Sequence, residues 1–160
     1  PYLLCVGRLE RYKGVQHVIR ALPELPEYQL VIAGNGSNRE QLRQIARDEA
    51  VADRVDFLGY VDDDRLPGLY AGAAAYVTMS EFEAYGITVA EALAAGTPCV
   101  IRRIAGLSDW AGRDDCIGIE QTTRSEIATT IRQAVSLTET TKPVPDWNYV
   151  IRKLESTYHT

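Results

Sequence analysis

Six short apolar runs, each followed by a stretch of helical period, constrain this chain more than any other feature. The runs cover residues 3–6, 30–33, 55–58, 74–78, 98–101 and 117–119. Between them the apolar residues change period. Val15, Val18, Ile19 and Leu22 mark one face of a helix, as do Leu42, Ile45 and Ala46, and later Ile127, Ile131, Ala134 and Val135. Leu66, Leu69 and Tyr70 predict a short helix with Pro67 in its first turn, where a missing N–H is harmless, and residues 87–95 predict another. Strands that are apolar without alternation are buried on both faces, the pattern of a parallel sheet covered by helices. Right-handed crossovers then reduce the topology to a doubly wound, Rossmann-like α/β sheet of about six strands with helices on both faces. An eightfold α/β barrel needs roughly 250 residues, and the chain has 160. This sheet domain is expected over residues 1–142. In 143–160, Pro143 and Pro145 make a stiff break, and Asp146 is a suitable N-cap for a closing C-terminal helix carrying Trp147, Val150, Ile151 and Leu154.

The chain has 22 Asp and Glu against 17 Lys and Arg, and 46% of it is hydrophobic. That content excludes disorder, and the acidic balance argues against binding nucleic acid through an overall positive field. Cys5, Cys99 and Cys116 are an odd number without a CxxC pair, which reads as small buried residues in a reducing compartment. No apolar stretch approaches the roughly 20 residues of a membrane span, so a cytoplasmic protein is expected. The opening Pro1-Tyr2-Leu3-Leu4 shows no signal-peptide pattern and starts at a strand without Met, which suggests a piece of a longer protein.

Ligands of open α/β sheets bind at the carboxyl ends of the strands, and the unusual residues cluster there. Residues 7–14 (Gly7-Arg8-Leu9-Glu10-Arg11-Tyr12-Lys13-Gly14) follow the first strand, Gly34-Asn35-Gly36 the second, Gly59-Tyr60 the third and residues 80–86 the fourth. Glycines, cations and carboxylates on one rim point to a polar ligand bearing phosphate. Gly7 permits close backbone approach, Arg8 offers a planar fork of donors, and Lys13 adds a charge just before a helix N-terminus. Solvated loop cations are the alternative for both. Gly34 and Gly36 are default turn formers and lack the GxGxxG spacing, and no GxxxxGK[ST] motif is present. Glu83 and Glu91 flank Gly86 at the mouth of a helix. An ionised glutamate accepts two neighbouring hydroxyls at once, the requirement for holding a ribose. Gly86, Ile87 and Thr88 would present free backbone N–H groups to an oxygen of the ligand. Glu91 near a helix N-terminus is also read as an ordinary stabilising residue.

At this point the sequence resembles the retaining glycosyltransferases of the GT-B architecture, the large family of bacterial and archaeal mannosyl- and glucosyltransferases. The resemblance covers nearly the whole chain as that family's C-terminal, donor-binding half. It is carried by Gly7-Arg8-Leu9 with Lys13-Gly14, by Gly34-Asn35-Gly36, by Phe57-Leu58-Gly59, by Glu83-Ala84-Tyr85-Gly86 running to Glu91-Ala92, and by Ala95-Gly96-Thr97-Pro98.

The resemblance implies that Arg8 and Lys13 neutralise the donor's diphosphate, that Glu91 binds the ribose, and that Glu83 lies beside the transferred sugar. Gly7, Gly34, Gly36 and the backbone of Gly86, Ile87 and Thr88 would complete the donor pocket. It further implies transfer of a hexose from a nucleoside-diphosphate sugar to an acceptor hydroxyl with retention of anomeric configuration. No cofactor or metal is expected. The acceptor would bind a missing N-terminal domain, through which peripheral membrane contact would also occur. Ala84 and Tyr85 stand where the family usually has Gly and Phe, so Tyr85 is expected to add a hydroxyl near the sugar. The loop 104–109 holds one glycine, Gly106, where relatives often have two. A sugar-nucleotide epimerase of the same architecture and a non-catalytic nucleotide-binding module are the alternatives. The isolated chain is expected to bind nucleoside diphosphates weakly and to transfer no sugar.

Overall fold

The computed structural model of the chain describes residues 1–137. The apolar runs become strands β1 (Tyr2–Val6), β2 (Gln29–Ala33), β3 (Val55–Gly59), β4 (Ala75–Thr78), β5 (Cys99–Arg102) and β6 (Cys116–Ile119). They pair in parallel in the order β3-β2-β1-β4-β5-β6. The helices are α1 (Val15–Ala21), α2 (Arg39–Asp48), α3 (Leu66–Gly72), α4 (Ile87–Ala94) and α5 (Arg124–Val135). This is the doubly wound arrangement expected from the sequence. The expected break and closing helix of residues 143–160 lie outside the described residues.

Side chains of one strand alternate between the two faces of the sheet, so each strand feeds two cores. Leu3 and Cys5 of β1 pack with Val18 and Ile19 of α1, Leu42 of α2 and Ile127 and Ile131 of α5. Leu4 faces the other way, into a core shared with Tyr70 of α3 and with Val89 and Leu93 of α4. Helix boundaries follow local chemistry. The expected face of α1 reached Leu22, but Pro23 lacks an amide to continue the ladder, and a short 3-10 turn over Leu22–Glu24 replaces the last turn. Pro67 sits in the first turn of α3. All three cysteines are buried and free, and burial pushes the Cys5 thiol up to about 12.

Strand order reverses between β1 and β4. Their carboxyl ends therefore open a crevice at the switch point, where such sheets bind ligands. The loops that line it, after β1 and after β4, are those in which the sequence concentrates its glycines and charges.

Candidate functional site

One wall of the crevice is made of backbone. The loops after β1 and β2 continue the ladder of their strands: Gly7 N–H donates to Ala33 O at 2.9 Å, Leu9 N–H to Asn35 O at 2.8 Å and Asn38 N–H to Leu9 O at 2.9 Å. Gly34 N–H donates to Gly59 O at 2.7 Å, which ties in the loop after β3. The two loops touch so closely that a Cβ on Gly34, whose φ is +138°, would stand 1.9 Å from Gly7 O. Only glycine combines that backbone with that approach. Gly36 is turned against Leu9 rather than toward the crevice. Arg8 is exposed on this wall, and its Nη2 donates to Tyr12 Oη at 3.2 Å.

The opposite wall is held by side chains. Lys13, in the 3-10 turn Arg11–Lys13, pairs with Glu83 across the crevice, each about one-fifth exposed (20% and 19%). Glu81 N–H donates to Tyr12 O at 2.7 Å, a second tie between the loops after β1 and β4. Gly86 caps α4 in the left-handed conformation with no side-chain cap, so the first amides of the helix, Ile87 and Thr88 among them, have no acceptor within it. Glu91, in the second turn of α4, accepts a hydrogen bond from Tyr70 Oη at 2.8 Å, and Thr88 Oγ1 accepts one from Tyr76 Oη at 2.7 Å.

Two adjoining cavities run along the crevice. The first, about 340 Å³, is lined by Gly7, Arg8, Gly34, Asn35, Tyr60 and Asp63, among others, and the second, about 310 Å³, by Asp63, Leu66, Tyr70 and Glu91, among others. They share Asp63 and Leu66. The structure thus brings Gly7, Arg8 and Gly34 to one end and Glu91 to the other, with the Lys13–Glu83 pair on the same rim. Tyr60 is 73% exposed at the lip of the first cavity, and Phe82, beside Glu83, is 70% exposed.

Tyr85, the position expected to add a hydroxyl near the sugar, is anchored by its ring and by its carbonyl. Its ring is buried edge-on against Trp110 with centroids 5.4 Å apart, and Trp110 Nε1 donates to Tyr85 O at 2.6 Å. A large ring beside apolar Leu107 and Trp110 gains more from burial than from water. Reading by motif passes over one residue. Tyr70 reads as one more apolar position of a helix face, yet its hydroxyl meets Glu91. Gly106, the one glycine of loop 104–109, has a definite place: a Cβ there would stand 1.6 Å from Glu83 O, so its bareness seats the Glu83 loop.

The family model described as glycosyl transferases group 1 matches residues 1–144. An uncharacterized glycosyltransferase of Methanocaldococcus jannaschii is 42% identical over 110 residues, covering 67% of this chain and 28% of the relative. Glycogen synthase of Mycobacterium tuberculosis is 42% identical over 111 residues, covering 67% of this chain and 27% of its own length. Among solved structures, WaaG, a glycosyltransferase involved in lipopolysaccharide biosynthesis, superimposes with a TM-score of 0.73 at 26% identity over 86% of this chain and 38% of its own. Anabaena HepE, solved in complex with UDP and glucose, shares the fold with a TM-score of 0.82 at 21% identity, over 99% of this chain and 48% of its own. The chain spans about a quarter to a third of the length of the curated relatives it matches (26% to 33%). On the span and identity of these matches, this chain belongs to the group 1 glycosyl transferases.

Proposed function

We propose that this chain is the donor-binding half of a retaining glycosyltransferase, which moves a hexose from a nucleoside-diphosphate sugar to an acceptor hydroxyl. The observation that carries the reading is the pair of adjoining cavities with Arg8 at one end and Glu91 at the other. Their volumes fall in the range of small-molecule sites. UDP in the HepE structure is consistent with a nucleotide ligand for the same fold.

In this reading the diphosphate lies over Gly7, where no side chain intervenes, and faces Arg8, Lys13 and the open amides at the start of α4. Glu91 takes the ribose hydroxyls. Glu83 lies beside the hexose, on the same rim. Negative charge builds on the leaving diphosphate as the glycosidic bond breaks, and the fixed cations Arg8 and Lys13 stabilise it there. No metal is invoked. The acceptor hydroxyl attacks the face the diphosphate leaves, which retains the anomeric configuration. The acceptor site belongs to the remainder of the protein, so the 160-residue chain binds nucleotide but transfers no sugar. The protein acts in glycan, lipid or polysaccharide synthesis on the cytoplasmic side; among the described residues no helix is long and apolar enough to cross a membrane.

Isothermal calorimetry with nucleoside diphosphates and the matching nucleosides tests these assignments. Glu91→Ala weakens both ligands by about 1.5–3 kcal/mol, the range for hydrogen bonds to a charged group. Arg8→Ala weakens the diphosphate and spares the nucleoside. Unchanged diphosphate affinity in Glu91→Ala removes the ribose assignment, and equal losses for both ligands in Arg8→Ala remove the phosphate assignment.

A further inference from the structure

We propose that Tyr70 is a positioning residue for the donor nucleotide: its hydroxyl holds Oε2 of Glu91 and leaves Oε1 for the ribose. The inference rests on the assignment of Glu91 to the ribose given above, and it names what aims that carboxylate.

Tyr70 is 2% exposed, yet its hydroxyl reaches the cavity wall, where it donates to Glu91 Oε2 at 2.8 Å. Both residues line the second cavity. The ring itself has little freedom. It packs edge-on against Tyr76 with centroids 5.8 Å apart, and the Tyr70 carbonyl accepts a hydrogen bond from Thr97 Oγ1 at 2.5 Å. Burial, reinforced by Tyr76 and by the Glu91 carboxylate, raises the Tyr70 pKa far above its ordinary value, so the hydroxyl remains a donor at any working pH.

The choice of partner matters chemically. Glu83 is paired with a lysine, whereas Glu91 has no ion pair among the described residues. A lysine or arginine at Tyr70 would compete with the ligand for both carboxylate oxygens. A phenol supplies one donor and no charge, and so orients the carboxylate while leaving one oxygen uncommitted. A free glutamate side chain loses rotamer freedom on gripping a ligand. Tyr70 restricts that freedom before the ligand arrives, the general advantage of a supported site. Tyr70 is also a residue of α3 and Glu91 one of α4, so the bond couples two helices that the chain connects only through β4.

The test uses UDP, GDP and ADP with their 2′,3′-dideoxy counterparts, titrated calorimetrically into the 160-residue chain, Tyr70→Phe, Glu91→Gln and the double variant. Tyr70→Phe keeps the ring and removes one hydroxyl. It is expected to weaken the ribonucleotide roughly three- to tenfold, the scale of one hydrogen bond, and to leave the dideoxy nucleotide unchanged. Glu91→Gln shows the same selectivity with a larger loss, and the double variant is no weaker than Glu91→Gln alone. A fall in the folded fraction scales both ligands alike, so the ratio between them reports positioning and not stability. An unaltered ratio in Tyr70→Phe, with Glu91→Gln still selective, overturns this inference and leaves the ribose assignment standing. Additive losses in the double variant also overturn it, because Tyr70 would then act on the ligand directly. An unselective Glu91→Gln, or no binding of any ribonucleotide, brings down the ribose assignment and this inference with it.

Discussion

The two walls of the crevice are held together by different means. The β1–β2 wall is backbone against backbone, with Gly34 in van der Waals exclusion of anything larger than hydrogen and three backbone N–H···O hydrogen bonds extending the sheet beyond its strands. The β4–α4 wall is assembled from side chains of distant origin: Lys13 on Glu83, Tyr70 on Glu91, Tyr76 on Thr88 and Trp110 on the backbone of Tyr85. A backbone wall tolerates almost no substitution but places few demands on chemistry. A side-chain wall is chemically tuned, and each of its bonds can be altered singly. In this domain stability therefore resides chiefly in the first wall and selectivity in the second.

The sharpest challenge to that contrast is Gly34→Ala. A Cβ would meet Gly7 O at 1.9 Å on a backbone that L-residues rarely adopt, so strain and overpacking together should remove about 3–5 kcal/mol of stability. Urea denaturation reads it, and a loss below about 1 kcal/mol would mean the wall can part. Lys13→Ala probes the other wall. Nucleoside diphosphate affinity should fall by about 1.5–3 kcal/mol through the missing charged contact, while stability changes by about 1 kcal/mol because the pair sits on a wetted rim. Calorimetry beside a urea melt separates the two; a stability loss matching that of Gly34→Ala would erase the distinction between the walls. The smallest effect has the opposite sign. Gly68, inside α3, has open space where its Cβ would stand, and Gly68→Ala should stabilise by about 0.5–1 kcal/mol through helix propensity. Thermal melts showing destabilisation would mean that α3 needs the glycine for something other than space.

Much of this is legible in the sequence alone. Helical and strand periods predict all six strands, each to within a residue at either end, and mark the five described helices by their apolar faces without fixing where most of them begin. The grouping of Arg8, Lys13, Glu83 and Glu91 on one rim also followed from where each falls relative to a strand end. Tyr70 does not announce itself, since an apolar period hides a hydroxyl, and Gly106 is visible as the single glycine of its loop without showing that it seats Glu83. Tyr85 stands where the family usually has Phe, and the neighbours of its ring, Leu107 and Trp110, come from a loop more than 20 residues further on, so no local pattern shows them.

Periodicity is a local property carried by neighbouring residues, and it determines which segments become strands and helices and therefore which loops share a rim. The partner of each side chain on that rim is a different matter. Glu83 meeting Lys13, and Glu91 meeting Tyr70, depend on distances across 70 and 21 residues of chain. Those distances exist only once the sheet has brought β1 beside β4 and set α3 against α4, because hydrogen bonds and ion pairs act over a few ångströms and no local pattern encodes them.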